Sequence, residues 1–142
     1  MTEQIKNYAI TFAIVLIGTF YLLTISPGHT GWGGDFSMYI RHAMNIADGV
    51  KYDQTGYIYN PHVLSLSPRT YPPVYPFLLA PVYKVFGFNI LPMKVEIRLI
   101  FMAFLALLAS IFRQRIPIFY LLGLLAIFSF NPSIVEFKNA VL

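Results

Sequence analysis

The chain is predicted to be an all-α, polytopic integral membrane protein. About three transmembrane helices are expected, with amphipathic helices along the outer face between the first two. Composition, span-length apolar runs and the placement of charge predict this. Of 142 residues, 57% are hydrophobic and only 11% charged, against about 25% charged and about 45–50% apolar in soluble domains. Mean hydropathy is +0.64. So few charges cannot cover a water-facing surface. The formal net charge is +4, and its lysines and arginines are scattered or stand at the ends of apolar runs. Topology and lipid phosphates account for that pattern, so no nucleic-acid partner is expected. Cysteine is absent, which excludes disulfides and thiolate metal sites.

The first run, from Tyr8 to Ile25, contains no charge and approaches the ~20 residues that cross a ~30 Å hydrocarbon core. Lys6 precedes it, as in a secretory signal. However, the run exceeds the ~7–15 residues of a signal core and no small-x-small site follows, so an uncleaved anchor is expected. Residues 26–69 form a polar connection with balanced charge. The run from Tyr71 to Gly87 is apolar but broken by Pro72, Pro73, Pro76 and Pro81, each lacking a backbone donor and crowding the preceding turn. Val95 to Phe112 is the second span, closed by Arg113-Gln114-Arg115. Ile116 to Phe130 is the third.

Charge then fixes the sidedness. Positive residues in short loops stay cytoplasmic. If the proline-rich run crossed, Arg113 and Arg115 would lie outside; if it lies in the interface, they join Lys6 inside. Three crossings are therefore expected (8–25, 95–112 and 116–130), with the amino terminus cytoplasmic and residues 26–94 extracytoplasmic. An interfacial helix is expected over 72–86.

Within the connection, Phe36, Tyr39, Ile40, Ala43, Met44 and Ala47 recur at helical spacing, while Ser37, Arg41, His42, Asn45 and Asp48 fall on the opposite side. Asp35 stands where an N-cap is expected and Gly49 where a left-handed stop is expected. The result is an amphipathic helix over 35–48 suited to a membrane surface. His29, His42 and His62 lack the spacing of a metal-binding helix, so surface histidines and no metal or other cofactor are expected. Tyr52, Tyr57, Tyr59 and Trp32 read as a turn-rich loop packed at the bilayer interface, where such residues are enriched.

An acidic residue opening a D-x-x-x-Y-x-x-x-A helix (Asp35, Tyr39, Ala43), then Gly49, then Tyr71-Pro72-Pro73-Val74-Tyr75-Pro76-Phe77-Leu78-Leu79-Ala80, resembles the GT-C superfamily. These are integral-membrane glycosyltransferases that use polyprenyl-phosphate-linked sugars. The resemblance is nearest to protein O-mannosyltransferases and aminoarabinose transferases. It implies an inverting, mannosyl-type transfer from a polyprenyl-phosphate sugar donor to a protein, lipid or glycan acceptor, in a bacterial inner membrane. It implies that Asp35 matches the catalytic acidic residue of the first loop, that Tyr39 shapes the site, and that the proline-rich run is a juxtamembrane helix. Many relatives have two adjacent acidic residues here, whereas Asp35 is followed by Phe36. Such enzymes carry many more spans, so the chain is expected to be an amino-terminal portion, inactive alone.

The chemistry asks for a base toward the acceptor hydroxyl and cations toward the departing phosphate. Arg41, Arg69, Lys84 and Arg98 stand near expected interfaces, and a guanidinium fork holds two phosphate oxygens. Arg69 is preferred because it precedes the proline-rich helix. Substrate contacts are thus expected from Tyr39, Tyr71, Arg41 and Arg69. Glu136 reads as an ordinary loop carboxylate. The alternative reading is a small non-catalytic membrane protein that binds lipid or partner helices.

Overall fold

A computed structural model describes residues 2–26, 34–56, 62 and 70–137; of residues 34–36, 136 and 137 the backbone alone is described. The described residues are helical, with no strand among them: α1 (Glu3–Leu23), α2 (Gly34–Asp48), α3 (Val74–Phe86), α4 (Ile90–Phe112), α5 (Ile118–Phe130) and α6 (Pro132–Phe137). They fall into two compact units, one of residues 1–28 with 94–139, the other of residues 29–93 with 140–142.

In the first unit, Thr2 caps α1 by accepting the Ile5 N–H at 3.5 Å, and Glu3 pairs with Lys6 at 2.8 Å. The helix therefore starts five residues before the apolar run does. Its 21 residues span about 31 Å, the thickness of the hydrocarbon core. α4 likewise starts earlier than Val95. Asn89 accepts the Leu91 N–H at 3.1 Å, so Lys94, Glu96 and Arg98 lie within the helix rather than ahead of it. With 23 residues, α4 reaches about 34 Å. Both helices are long and apolar enough to cross a membrane. α5, over the third expected span, has 13 residues and a length of about 20 Å. Pro117 starts it and Asn131-Pro132 ends it, so on its own it falls short of the length that α1 and α4 reach.

These helices share one core. α1 supplies Ile10, Ile14, Ile17 and Tyr21; α4 supplies Phe101, Leu105, Leu108, Ala109 and Phe112; α5 supplies Ile118, Leu121, Leu125 and Phe128. The α1 and α5 positions recur every three or four residues, which sets one stripe of each helix toward its neighbours. Gly18 keeps α1 free of a side chain where Met102 of α4 approaches: a Cβ there would stand 2.5 Å from Met102 Cε. The outer faces are apolar too, with Phe12, Leu16, Phe104, Leu107, Phe119 and Ile127 all exposed. Helices apolar on both faces suit a hydrocarbon surround.

Several polar groups inside this unit are matched to backbone, while the Ser129 hydroxyl and one Glu96 oxygen are buried without a hydrogen-bond partner. The Tyr21 hydroxyl donates to the Ser129 carbonyl at 2.5 Å. Lys94 Nζ donates to Ser26 O at 2.9 Å, Arg98 Nε to Tyr21 O at 3.3 Å, and Arg98 Nη1 to Lys94 O at 2.5 Å. Both cations are buried and serve carbonyls at the end of α1, where a helix leaves acceptors unpaired and carries partial negative charge. Arg98, expected near an interface as a phosphate ligand, is thus engaged in closing a helix end.

In the second unit α2 packs on α3 through Met38, Ile40 and Ala43 on one side and Pro76, Leu79 and Ala80 on the other. Gly49, at φ 69°, stops α2 as expected. The Val50 N–H then bonds the Asn45 carbonyl at 2.8 Å, recovering an acceptor of the last turn. α3 starts at Val74, two residues after the expected 72. Pro76 sits in its first turn, where a missing N–H breaks no helical bond. Pro81 lies inside the helix, where the missing donor does. Gly87, at φ 64°, ends α3. Val74, Phe77, Leu78 and Val85 form an exposed apolar stripe on α3, opposite the face that meets α2.

Candidate functional site

The site is built on α2 and on the residues that lead into α3. The buried face of α2 is wider than its apolar spacing predicts. His42 and Asn45, expected to turn outward, are buried, and the expectation of a surface histidine at 42 is corrected. Gly49 reverses the chain, so the segment that follows folds back over this side of the helix. Asn45 Nδ2 donates to the carbonyls of Lys51 at 3.1 Å and Gln54 at 2.9 Å, with Tyr52 O at 3.4 Å. One amide thus gathers the returning turn.

His42 closes a ring of three residues. The Tyr71 N–H donates to His42 Nε2 at 3.2 Å. That places the ring proton on Nδ1, which donates to the Tyr52 carbonyl at 2.7 Å. The Tyr52 hydroxyl in turn donates to the Tyr71 carbonyl at 2.8 Å. The His42 and Tyr52 rings stack 4.0 Å apart at 11°. Burial holds the His42 pKa below its ordinary value, partly opposed by the bond to the Tyr52 backbone. Burial also pushes the Tyr52 hydroxyl up. Tyr52, half-buried in the turn after α2, is therefore part of this clamp. Tyr57, Tyr59, Trp32 and His29 lie outside the described residues; His62 is exposed.

The clamp fixes Tyr71 against Tyr39, ring centres 5.2 Å apart, and Tyr39 meets Tyr75 edge-on at 5.5 Å. Tyr39 and Tyr71, both expected to contact substrate, are brought together. Residue 35 is the second of α2, one position inside the helix rather than before it, and one turn ahead of Tyr39. Its side chain lies outside the described atoms. Arg41 is exposed on α2, and Arg69 lies outside the described residues. Among the described residues no three His, Cys, Asp or Glu side chains are grouped to hold a metal.

His42 and Asn45 were missed as site residues. The available signal was a polar pair at i, i+3 just before a glycine helix stop: a chain reversing there must cross one helix face, and its carbonyls need donors. No protein-family model, no curated protein and no solved structure matches the chain.

Proposed function

We propose that the chain forms part of a membrane glycosyltransferase that moves a sugar from a polyprenyl-phosphate donor to an acceptor hydroxyl on the extracytoplasmic face. One observation carries the reading. The D-x-x-x-Y helix and the Y-P-P-x-Y-P run, separate in sequence, meet through Tyr39, Tyr71 and Tyr75, with the polar clamp of His42 and Tyr52 behind them. Two walls of one site require such a contact.

In this reading residues 26–94 face outward and the amino terminus lies in the cytoplasm. α1, α4 and α5 cross as three spans of a bacterial inner membrane. The tyrosine rings offer flat faces to a hexose. Asp35 takes the proton from the acceptor hydroxyl as the acceptor oxygen bonds the anomeric carbon. The bond from that carbon to the phosphate oxygen breaks, its electron pair leaves with polyprenyl phosphate, and the anomeric centre inverts. Arg41 and Arg69 are the proposed partners of the departing phosphate, whose lipid tail holds it at headgroup depth.

The test is Asp35→Asn in the product of the complete reading frame, in membranes supplied with a polyprenyl-phosphate-linked labelled hexose. In the first turn of α2 the exchange keeps the side chain's size and removes a charge worth about 0.3–1 kcal/mol to the helix, so a melting measurement beside the assay confirms that folding is kept. Loss of a general base predicts a fall in transfer of about 10²–10⁴-fold. Undiminished transfer by this variant removes Asp35 from the mechanism.

A further inference from the structure

We propose that a groove between α1 and α4, in the first unit, binds one anionic glycerophospholipid, with the phosphate on Arg113 and an acyl chain along the helices. The groove encloses about 230 Å³, below the ~300 Å³ of pockets that enclose drug-sized molecules. It is an open slot that would hold a length of chain along the two helices. Its walls change character along its length in the order in which a phospholipid does. At the mouth, Arg113 Nη1 donates to Asn7 Oδ1 at 3.3 Å. One turn further in stand Thr11 and Ser110, at the depth of ester oxygens. Another turn in, the lining is Ile14 and Ala106. From Asn7 to Ile14 the helix rises about 10 Å.

Charge selects the headgroup. Glu3, the carboxylate of this end, is matched by Lys6 at 2.8 Å. Arg113 and Arg115 then stand as positive charge in excess, both exposed. A guanidinium has five N–H donors, and only one of Arg113's is directed to Asn7. The others suit phosphate oxygens. The slot exists because α4 presents Ala106, Ala109 and Ser110 to α1 here, whereas at Gly18 the Met102 side chain fills the equivalent space. A second transmembrane helix would need a continuous face; a slot with a cation at one end and an alkyl-lined bottom fits a lipid.

The experiment uses the whole chain in detergent micelles containing equal amounts of phosphatidylglycerol and phosphatidylcholine with matched acyl chains, read by native mass spectrometry. One phosphatidylglycerol is expected per chain, retained about tenfold over phosphatidylcholine, a difference of ~1.4 kcal/mol. Arg113→Gln should erase that discrimination. Ala106→Phe should remove the bound lipid altogether, since Ala106 is exposed to the slot and not part of the buried core. Ser110→Leu repeats the block should Ala106→Phe lose helicity by circular dichroism. Excess inorganic phosphate should leave the lipid in place. The proposal fails if the blocked variants keep the wild-type lipid, if Arg113→Gln keeps the preference, if free phosphate displaces the lipid, or if a second chain occupies the slot instead.

Discussion

His42 shows how one residue can be legible in type and illegible in role. Its spacing on α2 assigns it to the polar side of an amphipathic helix, and there the pattern stops. What decides its role is the path of a segment ten residues later, which carries unpaired carbonyls across that side. The sign of its pH effect follows from its burial. With the folded pKa held below the ordinary ~6.5, the unfolded chain takes up a proton first as pH falls. The clamp's contribution is therefore complete above about pH 6.5 and is lost as pH falls through the folded value. Protonation at Nε2 also abolishes the acceptor for the Tyr71 N–H. Amide hydrogen exchange at Tyr71 should accordingly lose protection as pH falls from above about 6.5 through the folded value, beyond the change in intrinsic rate. Protection that stays constant while the His42 ring itself takes up its proton would exclude His42 as the latch. Asn45 belongs to the same lesson: an amide in mid-helix reads as solvated until a turn arrives to use it. Tyr39 was legible, because an aromatic on an apolar face has few other fates.

At the scale of elements, the five expected helices are present, but α5 is shorter than a span, α6 was not expected, and several helix starts are displaced. Apolar runs mark where lipid contact begins, whereas capping decides where hydrogen bonding begins. Thr2 and Asn89 move α1 and α4 outward from their apolar runs, and Pro73 delays α3. Local side-chain oxygens and ring geometry set these boundaries independently of hydropathy. Helix contacts inside the bundle offer a direct check at Gly18. A Gly18→Ala side chain meets the far end of a flexible methionine, which can move aside, and Ala favours helix by about 1 kcal/mol over Gly. That variant should melt within a few degrees of the parent in detergent. Gly18→Leu has no such escape and should cost roughly 1–3 kcal/mol by overpacking. Equal melting of all three chains would mean that α1 and α4 do not rely on the Gly18 contact. For α3, the exposed stripe of Val74, Phe77, Leu78 and Val85 bears the mark of a helix with one face in a packed unit and the other available to the bilayer interface. Pro81 weakens its internal hydrogen bonding without touching the α2 contact.

The whole molecule presents apolar side chains both inward and outward in its first unit, which is why composition alone classified it so readily. Sidedness is subtler, since it rests on Lys6, Arg113 and Arg115 against a balanced connection. Because the chain has no cysteine, single cysteines placed at positions 35, 84 and 114 give an unambiguous reading with an impermeant thiol reagent on intact cells. The three-crossing arrangement predicts labelling at 35 and 84 and none at 114 until the membrane is opened. Labelling at 114 in intact cells would mean that the proline-rich run crosses as well, and only the absence of labelling at 35 would remove that residue from the extracytoplasmic face. The depth of α5 depends on its neighbours. With 13 residues it is too short to cross unaided, so the third crossing of that arrangement would rely on the core it shares with α1 and α4.

The ring formed by His42, Tyr52 and Tyr71 has one more consequence. Tyr52 and Tyr71 are 19 positions apart yet are fastened to each other and to α2 by groups that lie outside the intervening stretch. The two ends of that stretch are thereby held together. Doubling the length of such a stretch adds only about 0.6 kcal/mol of closure entropy. A few residues inserted between positions 57 and 61 should therefore leave the ring contacts of Tyr39 with Tyr71 and Tyr75 in place.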